Sequence, residues 1–123
     1  MVKEIFNSKT GILETEFKGD VTLLDVVNYI IRTKENKIYP RTLKIFTDSS
    51  QAIFNFSIED LNTIMEENLK SLMNYDFIID AIIVDNPKNT VLTMLYAELS
   101  KTKKYKFKIF STKEAALHWL QIN

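Results

Sequence analysis

The stretch that decides the reading is Thr42–Ser57, TLKIFTDSSQAIFNFS. Its first half, Leu43-Lys44-Ile45-Phe46, reads as a buried strand over Thr42–Thr47. Asp48-Ser49-Ser50 then reads as a polar turn, followed by the apolar loop Gln51–Phe56 and a helix that starts at Ser57. A strand followed by a crossover loop and a helix N-terminus is the unit from which open α/β sheets build a functional edge.

Outward from that unit the chain alternates. Val2–Phe6 and Ile12–Phe17 are strand candidates joined by the turn-forming Asn7-Ser8-Lys9-Thr10-Gly11, which gives a hairpin. Thr22, with Asp25 three residues on, predicts a capped helix whose inward face is Leu23, Val26, Val27, Ile30 and Ile31. Tyr39-Pro40 imposes an extended approach to the next strand. The Ser57–Asn74 helix carries the stripe Ile58, Leu61, Ile64, Met65, Leu69, Leu72 and Met73. Ala81–Val84 is apolar without alternation, the pattern of a strand covered on both faces. A helix over Thr90–Ser100 is expected to turn Val91, Met94, Leu95 and Leu99 inward. Tyr105–Phe110 alternates as a last strand, and Thr112–Gln121 is a short final helix. The order β-β-α-β-α-β-α-β-α predicts one α/β domain over residues 1–123, with helices packed on a mixed five-stranded sheet whose later strands are parallel. Only two glycines and two prolines occur, all at predicted turns, so no linker or repeat divides the chain.

Composition narrows function. Sixteen basic and sixteen acidic residues cancel, so no net field gathers nucleic acid. There is no cysteine, which removes disulfide, thiolate and cysteine–metal chemistry. No signal-peptide pattern and no run of about 20 apolar residues is found, so a cytoplasmic protein without a transmembrane segment is expected. The lone histidine, His118, has no partner for a triad or metal site and reads as a surface residue. Neither a glycine-rich phosphate loop nor a nucleophile elbow is present, so the chain is expected to be neither an enzyme nor cofactor-dependent. Lys101, Lys103, Lys104, Lys106 and Lys108 form a basic run that reads first as a solvated face of an exposed or edge strand, where lysine discourages edge pairing, with a patch for anionic lipid headgroups or an acidic protein as the alternative.

Two stretches stand out as candidate sites. Asp48, Ser49 and Ser50 lie where ligands bind in open α/β sheets, or else form an Asx-type turn. On the same edge Asp20, Asp48 and Asp85 are placed where carboxylates could meet a divalent cation, although solvated loop carboxylates are far commoner and no metal is expected. The loop residues Ile53, Phe54 and Phe56 are unusually apolar. They must enter the core, line a pocket or meet a partner.

The element order, the FKG turn at Phe17–Gly19, the strands LKIFTD and IIVDN and the ending IFSTKEAALHWL at Ile109–Leu120 together resemble the bacterial SpoIIAA-like family, part of the wider STAS fold. That resemblance spans nearly the whole chain. It implies a non-enzymatic regulatory or protein-interaction domain that binds a protein partner through the edge 48–61. A carrier or sensor of a small apolar ligand or lipid is the alternative it allows, and homo-oligomerisation stays open. In anti-sigma factor antagonists of this group, a serine at the start of the helix after the third strand is phosphorylated. The matching position is Ser57, where a phosphate would meet free helix N–H groups. The antagonist motif Asp-Ser-Ser/Thr-Gly does not precede this helix. Phe56 stands before Ser57, Ile58-Glu59 follow, and Glu59 and Asp60 would repel a phosphate. Read from its own residues, Ser57 is a helix N-cap.

Overall fold

The computed structural model describes all of residues 1–123. Nine elements follow in the expected order: β1 (Val2–Asn7), β2 (Ile12–Thr22), α1 (Leu23–Glu35), β3 (Thr42–Asn55), α2 (Asp60–Leu72), β4 (Phe77–Ile83), α3 (Pro87–Leu99), β5 (Tyr105–Phe110) and α4 (Lys113–Gln121). They form a single α/β layer structure around a five-stranded mixed sheet.

The strands lie in sequence order, β1-β2-β3-β4-β5. β1 is antiparallel to β2, and the other neighbours are parallel. The β1–β2 turn rests on Asn7, whose Oδ1 accepts from the N–H groups of Lys9 and Thr10, and on Gly11 at φ 71°. Each parallel connection advances one strand in the same direction. Right-handed crossovers repeated in one direction put every connecting helix on one face. Accordingly α1, α2 and α3 share one face, with Val26, Tyr29, Leu61, Ile64 and Leu92 packed on Phe17, Phe54 and Ile82. α4 has no further strand to reach and covers the other face, where Ala116 and Leu120 meet Phe46, Ile79, Ala81 and Ile83. β4 is therefore buried on both sides, as the apolar run at Ala81–Val84 predicts, although the strand starts earlier, at Phe77, ends at Ile83 and carries Asp80.

Caps mark the helix starts. Thr22 and Asp25 form a full capping box, with the Asp25 N–H donating to Thr22 Oγ1 and the Thr22 N–H donating to Asp25 Oδ2. The bond from the Thr22 backbone holds the Asp25 carboxyl below its ordinary pKa. Asn86 caps α3, with Pro87 in its first turn, and Thr112 caps α4.

The central unit departs from its sequence reading. No loop separates Asp48 from Phe56: β3 runs for 14 residues, to Asn55. β2 likewise continues through Gly19, at φ 69°, to Thr22. Between the pairs Glu16–Asp48 and Lys18–Gln51, β2 places one residue, Phe17, opposite two of β3, Ser49 and Ser50. Asp48-Ser49-Ser50 is thus a bulge inside a strand and not a turn after one. Bulges are uncommon between parallel strands. The Asx-type contact survives within it, since Asp48 Oδ1 accepts from both the N–H and the Oγ of Ser50. The extra residue inverts the alternation: Ile45 and Thr47 face the helices before it, Ala52 and Phe54 after it. That inversion, invisible to a strict period of two, makes the apolar stretch look like a loop.

Beyond Ile83 the sheet has lost β4, and β3 continues with only β2 beside it. Asn89, fully buried on α3, takes the missing strand's place. Its Nδ2 donates to Ala52 O at 2.9 Å and its Oδ1 accepts from the Phe54 N–H at 3.1 Å.

Candidate functional site in the helix-side cavity

The sheet order excludes one kind of site. Strand order never reverses, so the crevice that forms at a topological switch point is absent. One space the fold leaves lies between the sheet and α1–α3, an apolar-lined cavity of about 100 Å³. At the end of the cavity towards the strand C-termini, Phe17, Phe54, Phe56, Leu61, Ile64 and Leu92 line it. Ile30, Phe56 and Tyr96 belong to the lining and keep part of their surface exposed. The opposite end is tied shut. Tyr75 OH donates to Thr33 O at 2.6 Å, and the Arg41 guanidinium lies 4.2 Å from the Tyr75 ring centre. Arg41 also donates to the carbonyls of Asn36, Tyr39 and Asn74, joining the loops that follow α1 and α2.

In the wall stands Asp80, central on β4 and buried. Its one hydrogen bond comes from Thr47 Oγ1, at 2.9 Å. No basic side chain pairs with it. Burial disfavours its charge and pushes its pKa up to about 7, with the Thr47 bond pulling weakly the other way. Around it the phenols of Tyr29, Tyr96 and Tyr105 are held above their ordinary pKa, first by burial. An isolated buried carboxyl on a cavity wall, with its titration moved to neutral pH, is the type of group found at binding and catalytic sites.

α2 brings two more polar groups to this wall. Asn68 and Ser71 are buried and line the cavity, while Leu69 and Met73 point to solvent. The expected stripe holds at Leu61, Ile64 and Leu72, which are buried, and fails at Leu69 and Met73, which were expected inside. α3 is rotated in the same sense: Asn89, Leu92 and Thr93 are buried, whereas Val91, Met94, Leu95 and Leu99, expected inside, are exposed. Ser71 Oγ is buried without any hydrogen-bond partner, and the Asn68 side chain makes no protein hydrogen bond. Buried polar groups of native proteins rarely stay unpaired, so Ser71 Oγ calls for a partner from outside the protein, a ligand or a water, while the Asn68 amide is not sealed off in the same way.

The residues singled out in the sequence do not form one site. Phe54 and Phe56 line the cavity and stack on each other at 5.3 Å. Ile53 is 59% exposed and points away from it. Asp48 lies on the opposite face, in a polar groove of about 260 Å³ with Lys3, Glu14, Glu16 and Lys113. Ser49 is interior, its Oγ donating to Ile83 O. Ser50 only closes the bulge on Asp48.

Nor is Ser57 the N-cap of α2. Glu59 holds that position, without a side-chain cap bond, and Ser57 opens the preceding turn. Its N–H and Oγ both donate to Asp60 Oδ2, at 2.9 and 3.1 Å. Asp20, Asp48 and Asp85 do not converge, and no group of three or more acidic or histidine side chains is placed to hold a metal ion. His118 and Lys106 are exposed, the latter on the edge strand β5. No helix is long and apolar enough to cross a membrane.

Sequence reasoning missed Asp80, Asn68 and Ser71. One signal was available: an aspartate directly before the run Ala81–Val84, inside a strand buried on both faces, has no solvated place to go.

No family model matches the sequence, and no curated protein does. Among solved structures the chain is similar to an uncharacterized DUF3478-family protein from Shewanella loihica PV-4, described as having a SpoIIAA-like fold. The match has a TM-score of 0.63 at 17% identity, over 98% of this chain and 92% of that one. The fold is SpoIIAA-like. The likeness extends over the hairpin, the three parallel crossovers and α4, the same elements that carry the resemblance in the sequence. At this identity the match concerns architecture alone and leaves function to the site.

Proposed function

We propose that this SpoIIAA-like chain is a non-catalytic carrier or sensor that holds a small, mostly apolar molecule in the cavity between the sheet and α1–α3. One observation carries the reading: an aromatic-lined space in the domain centre borders one buried hydroxyl that the protein leaves unpaired, Ser71 Oγ, and a buried carboxyl with a single partner, Asp80. Ligand sites have this composition, an apolar wall with a few convergent polar atoms. At about 100 Å³ the cavity suits a single small ring or short chain; a larger ligand requires α2 and α3 to move apart. Asp80 has no cation beside it, and its one hydrogen-bond partner is the hydroxyl of Thr47, with no third group to orient the pair, which supports binding over catalysis.

The reading is tested by native mass spectrometry of protein purified gently from its own host, beside the variant Ser71→Leu. Leucine at this position fills the cavity from α2 and removes the orphaned hydroxyl. A small-molecule adduct on the wild type that is absent from Ser71→Leu supports the reading. A bare polypeptide, or equal adducts on both proteins, overturns it.

A second reading has its own observation. The outward faces of α2 and α3 expose Leu69, Met73, Val91, Met94, Leu95 and Leu99. An apolar area of this kind on two adjacent helices suits a protein partner. The interaction surface then sits on α2–α3 and not on the edge 48–61. Protection of Val91–Leu99 from hydrogen exchange by a copurifying protein, with the cavity empty, favours this reading.

A further inference from the structure

If the cavity is a ligand site, as proposed, its polar groups specify more than an apolar occupant. Three of them have spare hydrogen-bonding capacity: Asp80 receives one bond, Ser71 Oγ none, and the Asn68 side chain none from the protein. The Tyr96 and Tyr105 hydroxyls also border the cavity, while the threonines and Tyr29 of its lining are already engaged. Thr93 Oγ1 donates to Asn89 O, Thr33 Oγ1 to Tyr29 O, and Tyr29 OH pairs with Thr15 Oγ1. A carboxyl that accepts, and an amide and a hydroxyl that both donate and accept, surround a single compact polar group with complementary character.

We propose that the ligand is a neutral hydroxyl compound, a small phenol or alcohol, whose O–H donates to Asp80 and whose oxygen accepts from Asn68 or Ser71, its hydrocarbon part lying towards Phe17, Phe54 and Phe56. A carboxylate ligand is opposed by Asp80, which has no cation beside it to offset a second negative charge. A plain hydrocarbon leaves Ser71 Oγ unpaired and the spare capacity of Asp80 and Asn68 unused, a loss that a hydroxyl recovers. Selection by a buried hydrogen-bonding group against an isostere lacking it is far stronger than selection by shape. The aromatic end of the cavity contributes contact area and no discrimination between the two.

Phenol and toluene are nearly isosteric and serve as the probes. Binding of each to the wild type, to Asp80→Leu and to the filled variant Ser71→Leu is followed by titration with protein-observed NMR. The wild type is expected to hold phenol about tenfold or more tighter than toluene. In Asp80→Leu the preference falls to about twofold or less while toluene still binds, and Ser71→Leu takes neither. Phenol bound to the wild type also moves the Asp80 carboxyl titration to lower pH, because a neutral donor stabilises the ionised form. That readout is independent of whether Asp80→Leu folds. Equal binding of the two probes by the wild type, or tighter toluene, overturns the hydroxyl assignment and leaves the cavity reading standing, with water as the partner of the polar groups. Failure of both probes to bind overturns the assignment together with the cavity reading.

Discussion

Thr47 Oγ1 donates to Asp80 Oδ1 at 2.9 Å, and this is the only hydrogen bond the buried carboxyl receives. One neutral hydroxyl is a weak substitute for water around a carboxylate, so the proton stays on Asp80 up to about pH 7 in the native state. In the unfolded chain it leaves near the ordinary value, about 3.9. Between these values the native state binds one more proton than the unfolded state, and stability falls as pH rises. The slope is about 1.4 kcal/mol per pH unit, and the loss is on the order of 4 kcal/mol by pH 7, after which it levels off. The phenols of Tyr29, Tyr96 and Tyr105 stay neutral across the window. Urea unfolding from pH 4 to 8 is expected to show this decline in the wild type. The isosteric Asp80→Asn should be flatter and more stable than the wild type at pH 8. Equal slopes for the two proteins contradict the burial argument.

Removing the donor tests the same pair from the other side. In Thr47→Val the carboxylate loses its only partner, and the midpoint of the pH-dependent decline moves above that of the wild type. Carboxyl NMR of Asp80 reads it directly. A midpoint that stays put or falls means that the Thr47 bond does not stabilise the ionised form.

How much of this was legible in the sequence depended on what each signal measures. Thr22 with Asp25 and the apolar run at Ala81–Val84 are local signals that lie at the start of α1 and in the second half of β4, whereas α3 begins at Pro87, under an Asn86 cap, and not at the expected Thr90. The register of the long ribbon was not local. A strict period of two breaks at Ser49-Ser50 because a bulge adds a residue, so the second half of β3 reads as loop although Ala52 and Phe54 are core. The helix faces failed for a different reason. A stripe drawn through the most apolar residues of α2 and α3 assumes that apolar means inward. Here Asn68, Ser71, Asn89 and Thr93 are inward, and the apolar stripe of α3 faces out. Such inversion arises where the interior has polar work to do, at a strand end that lacks a neighbour and around a cavity.

Phe54 and Ile53 separate core from surface within the apolar stretch. Phe54 is buried in contact with Phe17 and Phe56, while Ile53 faces solvent. Phe54→Ala is expected to cost about 3–5 kcal/mol. Ile53→Asp should stay within about 0.5 kcal/mol of the wild type. Chemical denaturation of the two variants checks this, and a large loss in Ile53→Asp places that side chain in a contact the fold does not show.

Ser57 sits against Asp60, not against a free helix N–H. Ser57→Ala loses one exposed hydrogen bond, about 0.5–1 kcal/mol. Ser57→Asp loses it too and sets a second carboxylate against Asp60, with Glu59 adjacent, so it is expected to be the less stable of the two, and more so at low salt. A phosphate there meets the same repulsion. Should Ser57→Asp prove as stable as the wild type at low ionic strength, the turn tolerates a negative group and a modified Ser57 becomes admissible.

Asn89 replaces a strand with one side chain, and its removal should be felt at an identifiable place. Asn89→Ala leaves the Phe54 N–H without its acceptor and removes a donor from Ala52 O, where Asn86 contributes only a long 3.4 Å contact. Stranding a buried donor costs about 1–3 kcal/mol, and two groups are affected here. Asn89→Asp retains the acceptor for Phe54 but cannot donate to Ala52, and it buries a carboxylate, so it is expected to be at least as destabilising as alanine at neutral pH. Hydrogen exchange locates the damage. The Phe54 amide should lose protection in Asn89→Ala well before the amides of β4, because only the unpaired end of β3 depends on this clamp. Uniform loss of protection across the sheet means that Asn89 supports the whole core and not the strand end alone.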